Sequence, residues 1–268
     1  MVADRAVLPQ RLVSLVPSTT ESVCAFGAGD RLVGCTRYCT HPPDRLAGVA
    51  RIGGTKNPDR EKVMSLQPGL VLGNAEENRP EDLEWFASRV PVLLQTPRTV
   101  AEAVVALREL AHAVGDPGAA LPAVERTVAS LAATAVAATQ PSPRVYYAIW
   151  RKPWMTVGGD TFVHDVLRCC GATNVAADAE ARYPEMAPDA AVARGVDVVL
   201  LASEPWAFDD AQQRELAAAA TFGPARLVLC DGRDFSWHGT HMAIGLRRAQ
   251  ALLQQVAGVG AGARDLRA

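Results

Sequence analysis

The sequence predicts an α/β protein of two lobes joined by a single long helix. Three observations carry this. Short apolar strands alternate with amphipathic helices along almost the whole chain, the pattern of mostly parallel sheets. One Gly-free helical run, Ala119 to Thr139, interrupts the alternation near the middle. The segments on either side of that run repeat one another.

Taken in order, Arg11 to Val16 (R-L-V-S-L-V) is a short apolar strand. Pro17 follows, and Ser18 with Glu21 three residues on has the form of a capping box, opening a helix that reaches Phe26 and stops at Gly27 and Gly29. Gly69 to Gly73 and Pro91 to Leu94 are further strands, and Val100 to Val114 has a helical apolar period ending at Gly115. In the central run Leu121, Val124, Val128, Leu131 and Ala135 recur at spacings of three and four. That makes one amphipathic helix of about 20 residues, some 30 Å long, closed by Pro141-Ser142-Pro143. Strands resume at Arg144 to Trp150, Asp197 to Ala202 and Arg226 to Cys230, and a last helix runs from about His241 to Val256.

The repeat is visible in two segments. Arg60 to Asn74 and Asp189 to Ser203 each read as a short helix with an acid in its first turn, a break, then a buried strand. Glu61 and Asp189 stand ten residues before Val71 and Val199. The predicted organisation is an N-terminal lobe over 1–116, a connecting backbone helix over 117–140 and a C-terminal lobe over 141–268. Both lobes are read as Rossmann-like, with the ligand in a cleft between them and little closure about a stiff helix.

Composition narrows the function. The chain has 268 residues, 49% hydrophobic and 21% charged, enough apolar material for a sizeable core. A net charge of -2 and the lack of a Lys/Arg run exclude a nucleic-acid partner held by phosphate neutralisation. No apolar stretch approaches the roughly 20 residues a spanning helix needs, so the chain is read as not membrane-spanning, and as a monomer. Met1 to Pro9 has no apolar run, which as written predicts a cytoplasmic protein, or an extracytoplasmic one if a leader has been removed. Six cysteines are too few for a disulfide scaffold; Cys24, Cys169 and Cys230 read as small core residues.

Aromatic residues are only 6% of the chain yet gather just after strands. Trp150, Trp154 and Met155 lie in I-W-R-K-P-W-M, Trp206 and Phe208 in E-P-W-A-F, and Phe235 and Trp237 in D-F-S-W-H. Ligands of open α/β sheets sit at the carboxyl ends of strands, and flat faces there suit a large planar ligand such as a corrin or porphyrin. His238 and His241 form H-x-x-H beside Asp234, and Cys39 and His41 follow Tyr38. Imidazole and thiolate suit a soft or borderline metal, with a haem iron or corrin cobalt as the natural partner. Arg37, Arg151 and Lys152 are candidate partners of propionates or a phosphate. No nucleophile elbow, P-loop or dinucleotide fingerprint is present, and Gly158-Gly159 lacks the rest of the last. The residues therefore read as a binding protein with no fixed cofactor. A cytosolic enzyme or trafficking factor acting on a metal or metal cofactor through Cys39, Asp234, His238 and His241 is the alternative.

L-V-S-L-V-P-S-T-T-E (Leu12 to Glu21), L-Q-P-G-L-V-L (Leu66 to Leu72), the spanning helix, and G-A-T-N-V (Gly171 to Val175) before R-Y-P-E resemble the helical-backbone (class III) substrate-binding proteins of ABC importers. Vitamin B12-binding proteins and their iron-chelate relatives are the nearest branch. The resemblance implies a cobalamin, haem or ferric-chelate ligand delivered to an ABC permease, which Glu61 and Asp189 match by position as docking acids. It also implies that Tyr38 and Tyr183 are cleft aromatics. Thr55 and Asn74 stand where the B12-binding branch places tryptophans, a departure from its pattern.

Overall fold

Two separate parallel sheets carry the fold. The computed structural model describes residues 8–115, 118–137 and 142–264, and their side chains apart from 133–137 and 258–264. The chain divides into two units: Met1–Pro97, Ala101–Glu125 and His238–His241 in the first, Arg98–Val100, Arg126–Trp237 and Met242–Ala268 in the second.

The first unit is built from β1 (Leu12–Ser14), α1 (Pro17–Ala25), β2 (Leu32–Cys35), β3 (Ala50–Arg51), α2 (Arg60–Ser65), β4 (Leu70–Gly73), α3 (Pro80–Ala87) and β5 (Val92–Leu94). Its strands run in the order β3-β2-β1-β4-β5, every pair parallel. β1 lies at the centre and is wholly buried, its polar Ser14 included, as the central strand of a parallel sheet is expected to be. Val13, Leu15, Val63, Val71 and Phe86 form the core, all without solvent exposure. α1 departs from the predicted capping box. Its N-cap is Val16, which has no side-chain cap, and Pro17 occupies the first turn. Proline presets the helical φ and lacks the N–H that a cap would satisfy, so Ser18 is left buried with its hydroxyl unpaired.

α4 (Val100–Val114) and α5 (Ala120–Ala137) follow. α5 is the predicted long helix; Ala138 and Thr139, the rest of that prediction, lie outside the described residues.

The second unit continues with β6 (Arg144–Ala148), the hairpin of β7 (Trp150–Arg151) and β8 (Trp154–Met155), α6 (Phe162–Cys169), β9 (Thr173–Asn174), α7 (Pro188–Ala193), β10 (Val198–Ala202), α8 (Asp210–Ala218), β11 (Arg226–Cys230), α9 (Arg233–Ser236) and α10 (Met242–Arg264). Its main sheet has the order β11-β10-β6-β9, again parallel throughout. The strand predicted over Arg144 to Trp150 ends early, because Trp150 pairs antiparallel with Met155 in the hairpin. The core holds Tyr146, Val199, Leu201, Phe208, Leu216 and Phe222. The repeat read in the sequence is structural: α2 precedes β4 as α7 precedes β10. Cys169 and Cys230 are only half-buried, unlike the buried Cys24, because they lie at a helix end and on an edge strand.

Candidate functional site

Because the strands within each main sheet are parallel, all their carboxyl ends, and the loops they feed, lie along one edge of that sheet. On the first unit this edge carries Thr36 to His41 after β2, Thr55 after β3 and Asn74 after β4. Tyr38 is 55% exposed, with the Arg37 guanidinium 5.4 Å from its ring centre. Asn74 is buried and held fast. Its Oδ1 accepts from the Glu76 and Glu77 N–H groups at 2.7 and 3.3 Å, and its own N–H donates to Asn78 Oδ1. Its side-chain nitrogen is thereby turned to His238 Nε2, 3.1 Å away.

This geometry fixes the imidazole. An amide nitrogen only donates, so Nε2 is the acceptor and the proton sits on Nδ1. Burial pulls the His238 pKa down to about 4, leaving the ring neutral at pH 7. His241 meets other groups: its Nδ1 lies 3.6 Å from Glu21 Oε1. Between them Gly239 lets the chain press onto α1, where any Cβ would collide with the Ser18 carbonyl and Ser22 Oγ. Ser22 Oγ accepts from the Thr240 N–H at 2.9 Å.

The two histidines of H-x-x-H therefore have different partners. Among the described residues no three His, Cys, Asp or Glu side chains are grouped to hold a metal, so Cys39, Asp234, His238 and His241 do not assemble as a metal-handling constellation.

On the second unit the aromatic residues sort into two classes. Trp150 is 38% exposed and meets Trp206 edge-on, centroids 4.9 Å apart. The Trp206 ring is half-buried, and its indole nitrogen is buried with no hydrogen-bond partner. Tyr183 is 39% exposed under Arg182, on a loop that runs beside β8 through the Met186 N–H to the Trp154 carbonyl. Met155 is half-buried in β8 and bridges to Glu185.

The others are packed or bonded within the protein. Phe235, predicted to line the site, is 1% exposed and packs on Tyr147; short α9 turns it inward. Trp154 is half-buried, stacks on Phe208 at 6.0 Å and meets Phe222 edge-on at 5.1 Å, and so packs against the core as Trp206 does. Trp237 is buried, with its N–H bound to Glu204 Oε1 at 2.8 Å. Arg151 is not a free cation: Glu215 takes it in a two-pronged ion pair at 2.6 and 3.1 Å.

The family model for periplasmic binding proteins matches residues 12–223, most of the chain. The chain belongs to this family. A vitamin B12-binding protein of Yersinia pestis (strain Pestoides F) is 25% identical over 253 residues, covering 93% of this chain and 87% of its own. A vitamin B12-binding protein of Vibrio parahaemolyticus is 28% identical over 194 residues, 71% of this chain and 70% of its own. Among solved structures, the periplasmic heme-binding protein RhuT of Roseiflexus sp. RS-1 in apo form aligns with TM-score 0.78 and 26% identity over 92% of this chain and 99% of that one. The vitamin B12-binding protein BtuF of Vibrio cholerae shares the fold, with TM-score 0.77 at 21% identity over 92% and 98%.

Family membership places this chain among periplasmic binding proteins, and no helix among the described residues is long and apolar enough to cross a membrane. Sequence reasoning had missed the His238–Asn74 bond, since the two are 164 residues apart. The one local signal was glycine between His238 and Thr240. Glu204 was missed outright, as an acid after a strand looks like any surface acid.

Proposed function

We propose that the chain binds a metal tetrapyrrole, cobalamin-like or haem, with ferric chelates as the nearest other cargo, and hands it to an ABC-type importer. The observation that carries the reading is Trp206. A buried indole N–H without an acceptor costs about 1–3 kcal/mol, and this one sits beside half-exposed Trp150 at a strand-end edge. A planar ligand with peripheral carboxylate or amide oxygens covers the rings and satisfies the donor. The names of the relatives, vitamin B12-binding and heme-binding, support the same chemistry.

In this reading the ligand residues are Tyr38, Trp150, Met155, Tyr183 and Trp206. His238 would offer its Nε2 to the metal of such a ligand on giving up its Asn74 bond. Neutrality down to about pH 4 keeps its lone pair available. Arg151 takes part only by leaving Glu215. Glu61 and Asp189, both exposed in the first turns of α2 and α7, are the acids that meet the permease. The protein works outside the cytoplasmic membrane, as its family does, rather than in the cytoplasm.

The test is titration with cyanocobalamin, haemin and a ferric siderophore, followed by tryptophan quenching and visible spectra. The expected result is micromolar binding of one tetrapyrrole, a free energy of roughly -8 kcal/mol, and a Soret or corrin band that changes in His238→Ala. Lack of binding by all three below about 100 µM would overturn the proposal.

A further inference from the structure

Between β11 and α10 the chain runs from Asp231 to His241, and it is pinned on both sides of His238. Gly232 opens this run against Glu204, where any Cβ would collide with Glu204 Cγ; glycine is what lets the turn lie so close. The Gly232 N–H donates to Ser203 Oγ at 3.0 Å. At the end of α9, Ser236 Oγ and Trp237 Nε1 both donate to Glu204 Oε1 at 2.8 Å. Arg233, itself paired with Asp231, covers the Trp237 ring at 5.8 Å. Past His238, Gly239 lies against the Ser18 carbonyl, and the Thr240 N–H donates to Ser22 Oγ at 2.9 Å.

His238 is thus bracketed. Consecutive Cα atoms stand about 3.8 Å apart across a trans peptide, so a residue with an anchored neighbour on each side keeps little freedom beyond its own side-chain torsions. One anchor is the Glu204 carboxyl group, the other the Ser22 hydroxyl. They differ in strength. Ser22 offers one acceptor to one backbone N–H, whereas a single Glu204 oxygen gathers the side chains of the two residues just before His238. A carboxyl oxygen accepts whether or not the acid is ionised, so this anchor persists across pH. With the bracket in place, His238 Nε2 meets the Asn74 amide at 3.1 Å.

We propose that Glu204 is a positioning residue for His238: by holding Ser236 and Trp237 it sets where the imidazole stands and keeps Nε2 aimed at Asn74. Glu204 touches the two preceding side chains and acts on the ring through the peptide chain. The consequence for cargo rests on the function proposed above, in which His238 offers Nε2 to a metal. Groups that orient a metal-binding imidazole from behind are typically worth about 10–100-fold in metal affinity, and Glu204 stands one residue further back. The proposal separates two roles for the acid. A residue that only packs the lobe would lower stability when removed and leave the imidazole as it was. A positioning residue ties the tautomer and the titration of His238 to its own presence.

The test compares the unliganded full-length chain with Glu204→Ala and Glu204→Gln, by NMR of the imidazole nitrogens as pH is varied. The wild type should show His238 as the Nδ1–H tautomer, titrating at about 4. Glu204→Ala should mix the two tautomers and move the titration up by about one unit or more, toward the ordinary 6.5. Glu204→Gln still offers an acceptor to both donors and should restore both signatures. In a haemin titration Glu204→Ala should lose affinity about tenfold, and Glu204→Gln should match the wild type. If circular dichroism finds Glu204→Ala unfolded, Ser236→Ala with Trp237→Phe removes the two donors instead, and the same mixing of tautomers is expected. An unchanged His238 tautomer and titration in the folded variant, even with a lower melting temperature, would overturn the proposal. Haemin that fails to bind even the wild type counts against the cargo reading, and the unliganded spectra still decide the role of Glu204.

Discussion

Trp237 and Ser236 reach the same oxygen of Glu204: the indole N–H and the hydroxyl each donate to Oε1 at 2.8 Å. Burial nevertheless outweighs these donors and raises the Glu204 pKa, with Asp231 adding to the rise and Arg233 opposing it. A folded pKa above the unfolded one means that Glu204 is best tolerated at low pH. Its cost begins as pH climbs past the ordinary carboxylate range and is complete above the folded pKa. Glu204→Gln keeps an acceptor for both donors and cannot ionise. It should raise the melting temperature at pH 7 and have no effect near pH 4. Thermal melts at the two pH values check this; a lower melting temperature at pH 7 would show that the charged hydrogen bonds win.

Trp154 and Trp150 should separate stability from binding. Trp154→Ala removes a half-buried ring that stacks on Phe208 and meets Phe222 edge-on and should cost about 2–3 kcal/mol. Trp150→Ala, on the half-exposed ring, should cost about 1 kcal/mol or less yet weaken tetrapyrrole binding. Urea unfolding and quenching titrations on both variants check the split, which fails if Trp150→Ala is the more destabilised.

Trp206→Phe keeps a ring and deletes the orphaned N–H. The unliganded protein should become more stable by about 1 kcal/mol, from relief of an unsatisfied buried donor, while ligand affinity falls severalfold. Equal affinity in the two proteins would mean that the indole nitrogen never meets the ligand.

Ser22→Ala leaves the Thr240 N–H without its acceptor. A loss of about 1–3 kcal/mol is expected, together with faster amide exchange at Thr240. Unchanged exchange would show that another group takes over.

Asn74→Asp preserves the acceptor used by the Glu76 and Glu77 N–H groups but replaces the donor facing His238 by a second acceptor. Nε2 should then take up a proton, and the His238 pKa should rise from about 4 past its ordinary 6.5. An NMR titration of the imidazole reads this directly.

Much of the fold was legible because its strands are short and apolar and stop at Gly or polar residues, as in Leu70–Gly73 and Val198–Ala202. The helix Val100–Val114 agrees with its period to the residue, since nothing in its surroundings overrides that period. Local reading failed at Ser18, which looks like a cap although the adjacent Pro17 opens the helix, and where a neighbour far along the chain decides: Arg151 looks like an anion site until Glu215 arrives from 64 residues away. Phe235 and Trp237 show the same limit at the candidate site. A ring just past a strand turns to ligand or to core according to one short helix, and the sequence of α9 carries no periodicity long enough to tell.

Residues His238–His241 are part of the first unit although the chain on both sides of them builds the second. Neither unit is therefore a continuous stretch of the gene. A fragment stopping at Gly115 would expose the pockets that Gly239 and Thr240 fill on α1 and would leave Asn74 without its imidazole. Dissection of this protein into separately expressed halves should accordingly fail unless the four-residue piece is supplied, as a peptide or by circular permutation, to the half it completes.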